Sequence, residues 1–115
     1  MSGGPETEAL AALARLAATI ESRRGADPAS SHTAKLLARG PLKCAQKFGE
    51  EAVETVIAAA AEDREALVGE AADAVYHLLV TLAARDVTLA DVAAELARRE
   101  SVSGSAPQVF ESPKQ

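Results

Sequence analysis

The residues best suited to chemistry are five carboxylates in two closely spaced groups. The stretch KFGEEAVE places Glu50, Glu51 and Glu54 within five residues, and EAAD adds Glu70 and Asp73. On a helix turning about 100° per residue, Lys43, Glu50, Glu51, Glu54 and Ala58 fall within about 40–60° of Lys47. Leu42, Phe48, Ala52, Val53, Val56 and Ala60 fall on the other side. Glu70, Asp73 and His77 share a face with Ala66, while Val68, Ala71, Ala72, Val75, Leu78, Leu79 and Leu82 point away from it. A solvated helix face usually pairs opposite charges one turn apart, each pair contributing a few tenths of a kcal/mol. Here Glu54 meets Glu50 and Ala58, and Glu70 meets Ala66 and Ala74, with Lys47 the only base supporting the first group. A cation that gathers the acids accounts for them better than a solvated face does.

The ligand types select the cation. Carboxylate oxygens without cysteine, and with at most one nearby histidine, suit a hard ion such as Mg²⁺ or Mn²⁺ rather than Zn²⁺. Mg²⁺ keeps open positions for water and for phosphate oxygens, so a polyphosphate is the natural substrate. A triphosphate would approach these acids through the metal, with Lys43, Lys47 or Arg39 taking up the remaining phosphate charge. The spacings alone are only moderately specific.

Helices must position these groups. Leu10, Leu13, Leu16, Ala17 and Ile20 predict an amphipathic helix over 6–24 that closes on Arg23-Arg24-Gly25. The turn ADPAS (26–30) breaks it, and a short helix follows from His32, with Ser30 or Ser31 as its N-cap and Gly40-Pro41 as its stop. A long helix is expected from Pro41 or Leu42 to Glu62. Gly49 inside it costs about 1 kcal/mol against alanine and signals a close approach or a kink. Asp63-Arg64 separates it from a fourth helix over 64–85, and the short connection makes the two antiparallel neighbours, which sets Glu51-x-x-Glu54 opposite Glu70-x-x-Asp73. Thr88-Leu-Ala-Asp91 resembles a capping box and opens a last helix to Arg99. No period-two strand pattern occurs, so the fold class is all-α, a bundle of four to five helices. Residues 1–99 form the expected domain and 100–115 a flexible tail.

The 115 residues suit one domain, with a core built from Leu, Val, Ile and Ala because the chain has two Phe, one Tyr and no Trp. A net charge of −5 without basic-aromatic clusters argues against nucleic acid as a partner. Cys44 is the only cysteine, which excludes an intrachain disulfide and fits a reducing compartment. No apolar run of transmembrane length is read, and the expected location is cytoplasmic, with no membrane partner.

The segments EEAVE (50–54) and EAAD (70–73) resemble the MazG-type all-α nucleoside triphosphate pyrophosphohydrolases. More narrowly, AKLLARGPLKCAQKFGEEAVETVIAA and LVGEAADAVYHLLVTLAARDVTLADVAAELARR resemble the phosphoribosyl-ATP pyrophosphatase family of histidine biosynthesis, over about 10–99. This resemblance implies Mg²⁺-dependent hydrolysis of phosphoribosyl-ATP between its α and β phosphates, giving phosphoribosyl-AMP and pyrophosphate. Carried over by position, it implies Glu51, Glu54, Glu70 and Asp73 as metal ligands. Glu50 and Glu51 would be catalytic, Glu50 by orienting the attacking water. Lys47, Lys43, Arg39, Tyr76 and His77 would serve the substrate. His77 either contacts metal or substrate or hydrogen-bonds a carboxylate; Tyr76 either stacks on the substrate or is a half-buried interface aromatic. The family forms helical homodimers, which suits a thin core. Some relatives carry a fused cyclohydrolase, whose length and Cys and His ligands this sequence lacks. Two other readings share the acids: a MazG-like or dUTPase-like enzyme for another nucleoside triphosphate, and a non-catalytic helical oligomerisation module.

Overall fold

Three of the helices begin where a side chain accepts from their free amides. Ser31 Oγ accepts from the Ala34 amide at 2.9 Å, and Asp63 Oδ1 accepts from the Ala66 amide at 2.9 Å. Thr88 and Asp91 close a reciprocal box: the Asp91 amide donates to Thr88 Oγ1 at 3.0 Å and the Thr88 amide donates to Asp91 Oδ2 at 2.9 Å. Pro41 occupies the first turn behind Gly40, whose φ of 95° suits glycine. The computed structural model describes residues 3–103. In it the elements run α1 (Pro5–Ser22), a 3₁₀ turn (Pro28–Ser30), α2 (His32–Ala38), α3 (Pro41–Ala61), α4 (Arg64–Ala84) and α5 (Leu89–Ser103). The all-α class is as expected, with no strand among the described residues.

Only Glu62 and Asp63 separate α3 from α4, so the two must fold back on one another. The antiparallel register is visible in two cross-helix bonds. Thr55 Oγ1 lies 3.0 Å from the Glu70 carbonyl, and Thr81 Oγ1 lies 3.0 Å from the Cys44 carbonyl. Helices α1 and α2 pack on α4, giving a core of Ile20, Leu36, Cys44, Leu79, Val80 and Ala83. Full burial of an aliphatic side chain contributes roughly 1.5–3 kcal/mol, so this is a small core. Arg24, just past α1, reaches Asp86, which takes a left-handed φ of 61° just past α4, and the pair ties those two helix ends together.

The structure departs from the sequence reading in several places. Helix α1 ends at Ser22 rather than residue 24, because the chain turns at Arg23 and reaches a left-handed Gly25. Helix α5 continues through Ser103, past the expected Arg99, and the remainder of the expected tail lies outside the described residues. As the antiparallel pairing implies, α3 turns its acidic side toward α4, Glu51 facing Glu70 and Asp73, and its aliphatic stripe stays outside. Cys44 and Ala58 are buried there in line with Lys47, Glu51 and Thr55, whereas Leu42, Val53 and Val56 are exposed. On α4, Val68, Val75 and Leu78 are exposed as well. Gly49 marks no close approach within the chain, since a Cβ there would meet nothing within 4 Å. Helix α4 does reach membrane-spanning length and apolarity, with a mean hydropathy of 1.3 over its best window. Its Ala, Leu and Val outweigh Glu70, Asp73 and His77 in that average.

Candidate metal centre

Where α3 and α4 face each other, Glu51, Glu70 and Asp73 each present an oxygen within 4.8 Å of the others. The helices place them by register: Glu51 sits one turn before Thr55, and Thr55 is level with Glu70. Thr55 Oγ1 lies 2.9 Å from the Glu51 carbonyl and 3.0 Å from the Glu70 carbonyl, so one hydroxyl proton is shared between the backbones that carry two of the acids. Sequence reading missed Thr55. Its spacing of four from Glu51 was visible, but the reach to Glu70 depends on the pairing of the helices.

Three carboxylates so close repel one another unless a proton or a cation intervenes. Burial pushes the Glu70 carboxyl above the ordinary glutamate range, and the charges of Glu54, Asp73 and Glu51 push it further in the same direction. Glu70 Oε1 is buried without a hydrogen-bond partner. An orphaned buried carboxylate oxygen costs free energy and is well matched to a bound cation. The donors are all hard oxygens, as Mg²⁺ or Mn²⁺ requires. The residues therefore fit a divalent metal.

The other acids lie around this trio. Glu54 acts on Glu70 electrostatically from one turn beyond Glu51. Glu50 is turned aside, accepting from Gln46 at 3.1 Å and from Lys47 Nζ at 3.3 Å. Those two partners, Gln46 first, hold its carboxyl below the ordinary range.

Residues 13–100, which span all five carboxylates, match the family model described as phosphoribosyl-ATP pyrophosphohydrolase. The chain belongs to this family. Among curated relatives named phosphoribosyl-ATP pyrophosphatase, that of Cereibacter sphaeroides is 69% identical over 97 residues, covering 84% of this chain and 94% of the relative. The Dinoroseobacter shibae protein is 67% identical over 95 residues, covering 83% and 93%. The Jannaschia protein is 67% identical over 92 residues, covering 80% and 90%.

In this phosphoribosyl-ATP pyrophosphohydrolase family member, the remaining candidates lie on α3, on α4 and just past α2. Lys47 is half-buried beside Glu50, and Lys43 Nζ reaches Gln46 Oε1 at 3.5 Å. Arg39 is exposed at the end of α2. His77 is buried on α4 with an unpartnered Nδ1; burial lowers its pKa, partly countered by Glu51 and Asp73, with Lys47 and His32 acting in the lowering direction. Tyr76 donates to or accepts from Thr33 across the α2–α4 contact. Cys44 is buried with its Sγ directed to the Leu36 carbonyl at 3.3 Å, and burial raises its pKa, so it is a packing residue rather than a nucleophile. An apolar groove of about 480 Å³ lies elsewhere, between α1, α4 and the start of α5, lined by Ala14, Ala17, Leu79, Ala83 and Leu89.

Proposed function

We propose that the chain hydrolyses phosphoribosyl-ATP to phosphoribosyl-AMP and pyrophosphate, the second step of histidine biosynthesis, with Mg²⁺, or Mn²⁺ in its place, held by Glu51, Glu54, Glu70 and Asp73. The observation that carries this is the convergence of Glu51, Glu70 and Asp73 on one point, in a member of a pyrophosphohydrolase family. The bound ion would screen phosphate charge and polarise the phosphoryl group under attack. Around it, Lys47, Lys43 and Arg39 attract the polyphosphate through their charge. Glu50, ionised at neutral pH and standing beside the cluster, is placed to accept a proton from an attacking water. Glu51 orients the same reaction from the packed side. His77 and Tyr76 border the site on the α4 side and face the nucleoside portion.

The working unit in this proposal is a homodimer. Exposed Val53 and Val56 stand in line with Gly49 and Ala60 on the side of α3 away from Glu51, and Val68 and Val75 are exposed on α4. Aliphatic seams of this kind mark association surfaces. A second copy covering them also accounts for the apolarity of α4 without a membrane. The lone buried thiol of Cys44 suits the cytoplasm, and the net charge of −5 suits a protein that does not bind nucleic acid. Residues 1–99 carry every group the reaction uses.

The test is pyrophosphate release from phosphoribosyl-ATP, ATP and dUTP, each with and without Mg²⁺. Mg²⁺-dependent release from phosphoribosyl-ATP is expected. Glu51→Gln should keep its helical circular dichroism and lose activity by about a hundredfold or more. Selective release from dUTP would overturn the substrate, and no release from any nucleotide would favour a non-catalytic helical module.

A further inference from the structure

Two aromatic rings meet beside the acidic cluster in a way that the phosphate chemistry does not require. His32, the first residue of α2, and Tyr76 of α4 hold their rings 6.4 Å apart between centroids, with planes inclined by 21°. Direct stacking spans roughly 4.5–7 Å, so this pair is near the loose end of contact. A planar ring inserted between two others needs a van der Waals contact on each face, about 7 Å in total. The centroid distance of 6.4 Å is an upper limit on the face-to-face gap and falls short of that value, so the exposed His32 ring must swing outward to admit a third ring.

The two rings are held differently. Tyr76 is half-buried against the core, its hydroxyl bonded to Thr33, and the His77 ring meets it edge-on at 4.9 Å with planes at 77°. Its plane is therefore fixed in advance. His32 is exposed, so its ring can turn to open or close the gap. The location matters equally. Tyr76 follows Asp73 by three residues, a rise of roughly 4.5 Å along α4. His77, in contact with Tyr76, lies within electrostatic reach of Glu51, Asp73, Lys47 and His32 together. The ring pair thus sits one helical turn from the phosphate end of the centre.

We propose that His32 and Tyr76 clamp the purine ring of the substrate between them and form the base subsite of this centre. The assignment of the substrate's phosphates to the acidic cluster rests on the function proposed above; the ring clamp itself rests on the His32–Tyr76 geometry. The clamp also supplies a basis for selectivity. An adenine substituted on N1 is a strongly basic amidine that carries positive charge near neutral pH, and the π face of a tyrosine attracts such a cation. Plain adenine offers stacking alone, and a pyrimidine a smaller face.

Tyr76 is the only tyrosine, the chain has no tryptophan and His32 is one of two histidines, so the ring protons of both clamp residues can be followed individually by NMR. The full chain is titrated with N1-methyladenosine, with adenosine and with inorganic tripolyphosphate, without metal. Both nucleosides are expected to move the Tyr76 and His32 ring resonances upfield and saturably, the methylated one at several-fold lower concentration. Tripolyphosphate should leave these rings in place. His32→Ala, an exposed change, should weaken nucleoside binding by about tenfold, and His32→Phe should restore it. In Mg²⁺-dependent turnover of phosphoribosyl-ATP the His32→Ala effect should fall on KM rather than kcat. Nucleosides that leave both rings unmoved, or a His32→Ala variant with unchanged KM, would overturn the clamp while hydrolysis of phosphoribosyl-ATP continued. Rings that respond to nucleosides in a protein that does not hydrolyse phosphoribosyl-ATP would uphold the clamp and remove only the substrate assignment.

Discussion

Glu70 concentrates the electrostatics of the centre in one group. Its carboxyl is held above the ordinary range by burial first and by Glu54, Asp73 and Glu51 next, so the folded metal-free chain binds this proton more tightly than the unfolded chain. The sign follows: the favourable contribution is full below the ordinary glutamate range and is lost as pH rises through the folded value. In metal-free protein, urea unfolding should show Glu70→Gln losing less stability than the parent as pH rises above the ordinary glutamate range. Added Mg²⁺ should then stabilise the parent more than the variant. The acids were legible in the sequence because unpaired charge on a helix needs no tertiary information to be noticed. Thr55, Thr33 and His32 were not. Each acts on a residue of another helix, and nothing in the local spelling of a threonine or an exposed histidine says which neighbour it will meet.

The helix boundaries show the same division between local and tertiary information. Ser31, Asp63 and the Thr88–Asp91 box cap their helices as their residue types suggest, because capping is settled within four residues. That the acidic stripes of α3 and α4 face each other was legible from their short connection. What was not legible is the packing that accompanies it: Cys44, Ala58 and Thr55 fit against α4, while the larger Val53 and Val56 stay outside. The box at α5 is open to a direct test. Among the described residues α5 packs lightly on the other helices, so its cap and the Glu95 pairs with Arg98 and Arg99 weigh more in its stability. Thr88→Ala should cost about 1 kcal/mol locally. Hydrogen exchange should report faster exchange of α5 amides, with α3 and α4 little changed.

For the molecule as a whole, the division of aliphatic side chains between inside and outside is the telling quantity. Ile20, Leu36, Leu79 and Val80 are buried, while Leu42, Val53, Val56, Ile57 and Val68 are exposed in a single copy. Association therefore completes the core in the proposed dimer. Val56→Glu, a charge placed on a side chain 66% exposed in one copy, should leave helix content intact and shift sedimentation from dimer to monomer. A variant that still sediments as a dimer would place the interface elsewhere.

The two-residue link between α3 and α4 has a consequence for how the chain reaches this state. Most contact between elements lies within that hairpin, between segments adjacent in the chain. Low contact order of this kind goes with folding in microseconds to milliseconds. Were the hairpin to form before α1 docks, Glu51 and Glu70 would meet while the rest of the chain is still open, and their mutual repulsion would oppose that step. On that ordering a divalent ion is expected to speed refolding as well as raise stability, and stopped-flow refolding with and without Mg²⁺ that shows equal rates would remove the repulsion from the folding path.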